Sequence, residues 1–163
     1  MSNILVSEIN GLRVYNLSAG RTLQEMLKNA KYNTKKLKKD EEYVNKIELI
    51  QDFEFSINST CIKITDDGSH LFTSGMYPPR LKIFDLNEMS LKVERGIDAE
   101  VRRIATISND YTKCALLLDD RNIEIHAQYG KHFSIRIPKF GRDMIYNKYS
   151  CDLMTCGSGN EIY

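Results

Sequence analysis

The sequence predicts an all-β protein built from repeated short-stranded sheets, and three observations predict it. First, three stretches line up: Ile62–Gly75 with Arg80–Asp85, Arg103–Leu117 with Arg121–His126, and Asp143–Gly157 with Asn160–Tyr163. Second, their landmarks recur at a steady distance. The turn positions Gly68, Tyr111 and Tyr149 are 43 and 38 residues apart, and the strand positions Ile83, Ile125 and Ile162 are 42 and 37 apart. Third, each unit carries strand and turn chemistry. Ile62 and Ile64 alternate with Lys63, the period-2 pattern of a strand with one buried face. Asp67-Gly68 is a hairpin dipeptide, because Gly tolerates positive φ. Pro78-Pro79 marks a loop, since neither residue can donate to a ladder.

A period of about 40–45 residues with four short strands is that of a β-propeller blade. The expectation is therefore a partial WD40-type β-propeller, incomplete at about three blades. Phe84-Asp85 stands where the tryptophan–aspartate dipeptide of a WD repeat falls, but the chain has no Trp. Spacing carries the assignment, against the rival of an unrelated antiparallel β domain with evenly spaced hairpins. The expected organisation is a propeller part over 1–163, with a first full blade region at 46–100, a second blade at 101–142 and the truncated start of a third at 143–163.

The first half continues the pattern with an interruption. Leu12–Tyr15 resembles Leu81–Phe84, and Lys46–Ile50 resembles Leu91–Glu94. The separation of Leu12 from Leu81 is 69 residues, against 42 for Leu81 to Ile123. The excess corresponds to a basic helical insertion at 19–45, between the third and fourth strands of a partial N-terminal blade. Thr22-Leu-Gln-Glu25 fits a capping box. Leu23, Met26, Leu27 and Ala30 follow as one apolar stripe, read as docking against the propeller flank. A second short helix is expected from about Lys35 to Tyr43, with Leu37 and Val44 on one side.

Composition narrows the function classes. Leu, Ile, Val and Phe make up about a quarter of the 163 residues, enough for a core. The longest apolar run, Cys114–Leu118, is five residues, so no transmembrane helix fits. The N-terminus lacks the basic and apolar regions of a signal peptide. Cys61, Cys114, Cys151 and Cys156 form no C-x-x-C pair and read as small buried hydrophobes. No metal site is expected, because His70, His126 and His132 show no ligand spacing. No nucleophile elbow and no phosphate-cradling glycine loop occurs. Asp66-Asp67 and Asp119-Asp120 pair carboxylates, but at hairpin turns that favour Asp locally. The expectation is no catalytic residue, no cofactor and no enzymatic activity.

Charge is unevenly spread. The net charge is +1, yet residues 21–39 hold seven bases and one acid. Lys35, Lys36, Lys38 and Lys39 cluster at the expected start of the second helix, with Asp40-Glu41-Glu42 after them. That order opposes the helix dipole, so helix stability does not account for the lysines. They are either a solvated surface or a contact for phosphate or an acidic protein. The second basic segment is Arg136-Ile-Pro-Lys-Phe-Gly-Arg142. Arg136, Lys139 and Arg142 surround Phe140, a constellation suited to a protein or RNA contact. The alternative, which the sequence favours slightly, is an interblade loop with Phe140 tucked under the sheet.

Several strings resemble one family: Lys46–Phe55 (K-I-E-L-I-Q-D-F-E-F), Leu91–Arg95, Arg136–Asp143 (R-I-P-K-F-G-R-D), Cys151–Leu153 and Asn160–Tyr163. They resemble the nucleolar protein 10 family, in order and with similar gaps from about Leu12 to Tyr163. The family shows Pro and Trp in the first inserted helix, where this chain has Gln24 and Met26. The resemblance implies a WD-repeat propeller at the front of a longer protein. It implies a non-enzymatic scaffold of the small-subunit processome, located in the nucleolus and serving precursor rRNA processing. The implied partners are other ribosome-assembly proteins, with precursor ribosomal RNA as a further contact, and neither a membrane nor a small-molecule substrate. It also adds weight to a contact role for Lys35–Lys39. The rival class is a WD-type peptide-binding adaptor outside ribosome biogenesis. Since the chain stops inside an expected third strand, open sheet edges are anticipated, and such edges invite association.

Overall fold

A computed structural model describes residues 4–18, 20–23, 25–26, 37 and 39–163. The chain divides into two compact units, 1–54 and 55–163.

The first unit holds a three-stranded antiparallel sheet of β1 (Leu5–Ile9), β2 (Leu12–Asn16) and β3 (Glu48–Ile50), in that order. Asn10-Gly11 joins β1 to β2 with φ of 50° and 79°. Two positive φ values make the primed turn whose twist matches its strands, and Asn-Gly is the dipeptide that adopts it. The long β2–β3 connection carries the helical insertion. Its capping box forms as expected: Thr22 N–H donates to Glu25 Oε2 (3.1 Å) and Glu25 N–H to Thr22 Oγ1 (3.4 Å). Of the expected apolar stripe, Met26 is buried and Leu23 half-buried, while Leu27 and Ala30 lie outside the described residues. Two distant carboxylates anchor its start, Glu42 accepting from Arg21 N–H (2.9 Å) and Glu48 from Leu23 N–H (2.7 Å).

The second inserted helix is described only in part: Leu37 is helical, and Lys35, Lys36 and Lys38 lie outside the described residues. The described helix, α1, runs Glu41–Val44 with Asp40 as its N-cap, Asp40 Oδ1 accepting from Glu42 N–H at 3.1 Å. Glu41 and Glu42 therefore occupy the first turn, where acids suit the helix dipole. Asp40 captured the start because its side chain satisfies an orphan backbone donor, which a lysine cannot do. Val44 is exposed rather than docked.

The second unit contains three antiparallel meanders. The first is β4 (Asn58–Ile64), β5 (His70–Met76), β6 (Arg80–Asp85) and β7 (Ser90–Gly96). The second is β8 (Val101–Thr106), β9 (Cys114–Leu118), β10 (Asn122–Ala127) and β11 (Gly130–Arg136). The third pairs β12 (Gly141–Asn147) with β13 (Asp152–Gly157). Tyr163 then exchanges backbone hydrogen bonds with Thr155 (2.7 and 3.0 Å), the pairing a following strand would extend. Strand β8 packs against β4 and β12 against β8, so the first strands of successive sheets are neighbours, as around a propeller axis.

The sheets stack face to face through two cores. Phe72, Leu81 and Ile83 of the first sheet meet Val101, Ile104, Cys114, Leu116 and Leu118 of the second. Ala105, Ala115, Leu117 and Ile123 of the second meet Met144 at the third. The apolar run Cys114–Leu118 is thereby explained: β9 is buried on both faces, alternating residues into the two cores.

The alternation of Ile62 and Ile64 is read differently by the structure. Both are exposed, at 72% and 50%, while Cys61 between the sheets packs on the interblade core. Period 2 separates two faces of a strand but does not say which face is covered. The cysteines also divide. Cys114 is buried, and burial pushes its thiol up to about 12, leaving it an inert hydrophobe. Cys61 is partly buried, whereas Cys151 and Cys156 are exposed, contrary to expectation.

Turn chemistry explains the carboxylate pairs. Asp67 accepts from Ser69 Oγ (2.6 Å), Thr65 Oγ1 (2.5 Å) and Ser69 N–H (3.0 Å). These bonds, the Ser69 hydroxyl first, hold its carboxyl down at about 2. A folded value below the ordinary 3.8 stabilises the fold above that ordinary value, and the contribution is lost as pH falls towards 2. Asp67→Asn is expected to flatten the fall in stability between about pH 4 and 2. Unfolding midpoints measured across that range check this, and an unchanged acid slope would contradict it.

Candidate partner-binding surface

Lys35, Lys36 and Lys38 lie outside the described residues, and Lys39 is exposed just before the Asp40 cap. The other four candidate residues share the β11–β12 corner. Arg136 ends β11, Lys139 and Phe140 form the loop, and Arg142 follows at the start of β12, all four exposed. Phe140 is not tucked under the sheet. It is 54% exposed, and the Arg121 guanidinium lies 5.3 Å from its ring centroid.

The corner is fixed from three sides. Ile137 N–H donates to Arg121 O (2.9 Å), and the Ile137 side chain enters the second core. Ser158 N–H donates to Phe140 O (2.9 Å). Residue 157 must be glycine there, because a Cβ would overlap the Phe140 carbonyl oxygen. The Phe140 backbone is thus fixed at the corner, while its ring stands exposed.

The structure adds neighbours that sequence reasoning missed. Thr60, Cys61, Glu100, Arg102, Arg103, Asp119, Phe140 and Arg142 line a groove of about 600 Å³. Each first strand bulges near its start: between Ser59 and Cys61 in β4, Val101 and Arg103 in β8, and Gly141 and Asp143 in β12. The residues left out of register are Thr60, Arg102 and Arg142. A bulge bends its strand and re-aims the extra side chain. These three side chains, from equivalent places in successive sheets, line the one groove. The available signal was Arg102-Arg103 at the head of the second repeat.

The groove's charges are partly neutralised. Arg102 Nε donates to Asp119 Oδ1 at 2.9 Å, and Glu100 lies 4.0 Å from Arg102 Nη1. Asp119 is the chief cause holding the Arg102 guanidinium above its ordinary value. Arg103 Nε donates to Asp143 Oδ1 at 3.0 Å. Among the described residues, Arg136, Lys139 and Arg142 have no carboxylate within ion-pair distance. Among those residues, too, no three His, Cys, Asp or Glu side chains are grouped to hold a metal ion.

Comparison with known proteins agrees with this architecture. Among solved structures, a chain of a mitotic checkpoint complex matches with a TM-score of 0.60 at 14% identity, covering 72% of this chain and 37% of that one. The Swd1 β-propeller domain of Myceliophteria thermophila matches at 0.53 and 14% identity, covering 64% and 34%. These likenesses concern the fold alone. Among curated proteins, nucleolar protein 10 of Xenopus tropicalis is 44% identical over 158 residues, which is 97% of this chain and 23% of that protein. Human nucleolar protein 10 is 43% identical over the same shares. The Saccharomyces cerevisiae ribosome biogenesis protein ENP2 is 43% identical over 94% of this chain and 22% of its own length. The chain thus spans about a quarter of the length of these relatives. The family model for the nucleolar protein 10-like N-terminal domain matches residues 5–163, and the chain belongs to that family.

Proposed function

We propose that the chain is a non-enzymatic docking platform in ribosome biogenesis, acting in the nucleolus within the small-subunit processome during precursor rRNA processing. The observation that carries this reading is the 44% identity to a nucleolar protein along 97% of the chain. The yeast relative, named a ribosome biogenesis protein, supports it at 43%. The fold is in keeping with docking: the sheets pack through dry apolar cores, and the candidate contacts are exposed basic segments around them. In this reading other assembly factors bind the sheet edges and loops. Two segments make the charged contacts, Lys35–Lys39 in the insertion and Arg136–Arg142 at the β11–β12 corner. No membrane, cofactor or small-molecule substrate takes part.

The test is charge reversal of Lys35, Lys36, Lys38 and Lys39 together in the full-length protein. Neutralised phosphates release counterions, so a lysine–phosphate contact makes binding fall steeply with salt. The reversed protein is expected to co-purify less with precursor particles and to lose part of that salt dependence. Recovery equal to the parent at every salt concentration would remove this segment from the account.

A further inference from the structure

We propose that the groove headed by Phe140 and Arg142 binds single-stranded RNA, one unpaired base stacking on Phe140 and the adjoining phosphate seated on Arg142. This rests on the ribosome-assembly reading for the source of the RNA, and on the groove's own chemistry for the choice of ligand.

Four observations carry the choice. Phe140 is an aromatic ring 54% exposed on a corner of fixed backbone, with Arg121 beside its ring. A stacking platform needs such a ring, and it accepts any base because every base has a π face. Arg142 is the out-of-register residue of its bulge, aimed into the groove and without a carboxylate partner among the described residues. A guanidinium fork free of a competing acid suits a phosphate. Arg136 and Lys139, equally unpaired among the described residues, lie exposed on the same β11–β12 segment and add positive charge there. Finally, the far wall alternates in sign, Arg102 and Arg103 standing beside Glu100 and Asp119, with Thr60 beyond.

That alternation separates RNA from an acidic peptide. A nucleotide chain offers phosphates to arginines and exocyclic amines to carboxylates within a few ångströms. An acidic peptide offers carboxylates to the arginines as phosphates do, but no flat base to stack on Phe140. Duplex RNA is disfavoured as well, since its bases are already stacked and paired.

The test uses the full-length protein and a ten-nucleotide single-stranded oligocytidylate, whose bases carry an exocyclic amine, with binding followed by fluorescence anisotropy and contacts mapped by ultraviolet crosslinking. Crosslinks are expected on the 136–142 segment. Phe140→Leu is expected to weaken binding through this groove about tenfold or more and to abolish that crosslink, with Phe140→Trp restoring both. Arg142→Gln is expected to reduce the slope of log affinity against log salt by about 0.7, one phosphate contact to a single strand. Both positions are exposed, so neither variant threatens folding. Crosslinks confined to other segments, or a crosslink and affinity indifferent to Phe140→Leu, would overturn the proposal. Tighter binding of a polyglutamate peptide that competes at this groove would overturn it in favour of a protein partner. Failure of the broader reading looks different: the wild-type crosslink persists in vitro while the protein does not co-purify with precursor particles.

Discussion

Replacing Glu124 by Ala is expected to destabilise the second unit by about 3–5 kcal/mol, the usual cost of breaking a buried charged pair from one side. Glu124 and His126 sit two apart on β10, on one face of the strand, and each is 3% exposed. Glu124 Oε2 accepts from His126 Nε2 at 3.0 Å, while Glu124 Oε1 accepts from Lys131 Nζ. Arg95 of β7 reaches in from the neighbouring sheet, with Nη1 3.5 Å from His126 Nδ1 and Nη2 donating to Gln128 O at 2.6 Å. Arg95 thus ties the two sheets through His126 and the Gln128 carbonyl, and Glu124 holds His126 in place. Without it His126 keeps a buried N–H with no acceptor, and that unsatisfied donor carries much of the cost. Lys131 also bonds Asp98, at 3.2 Å, and can turn to solvent. The double change Glu124→Leu with His126→Leu should therefore recover much of the loss, because an apolar pair of similar size leaves nothing unsatisfied. Denaturant unfolding followed by circular dichroism checks both, as the chain contains no Trp to report by fluorescence. A single variant within about 0.5 kcal/mol of the parent, the range of an ordinary surface change, would show that the network is dispensable.

Leu116→Ala is expected to cost about 2–5 kcal/mol, the range for truncating a buried leucine. Leu116 is 0% exposed at the middle of β9, facing Phe72, Leu81 and Ile83 across the first interblade core. The position should fall in the upper part of that range. On the other face of β9, Leu117 and Ala115 pack against the second core, so the strand cannot shift towards the cavity without opening that side. Hydrogen exchange gives the local measurement. Amides of β8 and β9 should lose protection together with those of β5 and β6, because the cavity lies between the two sheets. Loss confined to β9 would contradict the shared core.

The repeat was legible because its signals are local. Gly68 and the Asp67 turn, the Pro78-Pro79 loop and the apolar run of β9 are each decided by a few neighbouring residues, and their spacing carries the propeller fold. The capping box at Thr22 and Glu25 was legible for the same reason. What sequence could not supply was the covering of each face and the start of each helix. Ile62 and Ile64 alternate as a half-buried strand does, yet both are exposed, since burial depends on what lies opposite. The helix Glu41–Val44 starts where the Asp40 carboxylate caps a backbone donor, which the apolar spacing of Leu37 and Val44 does not indicate. The basic corner could be named from Arg136–Arg142, but not the exposed ring, since exposure depends on what packs opposite it. The groove's Thr60 and Arg102 were out of reach as well. Their aim comes from bulges, and a bulge leaves little trace in residue type.

In the function proposed above, the stack of sheets serves as a docking platform on a ribosome-precursor particle. The most direct measurement is gradient sedimentation of the tagged full-length protein from a nucleolar extract, with RNA probed across the fractions. The account predicts that the protein travels with large particles containing precursor rRNA and shifts to light fractions when that RNA is digested. Sedimentation as a free protein before any digestion, with precursor RNA in other fractions, would contradict it.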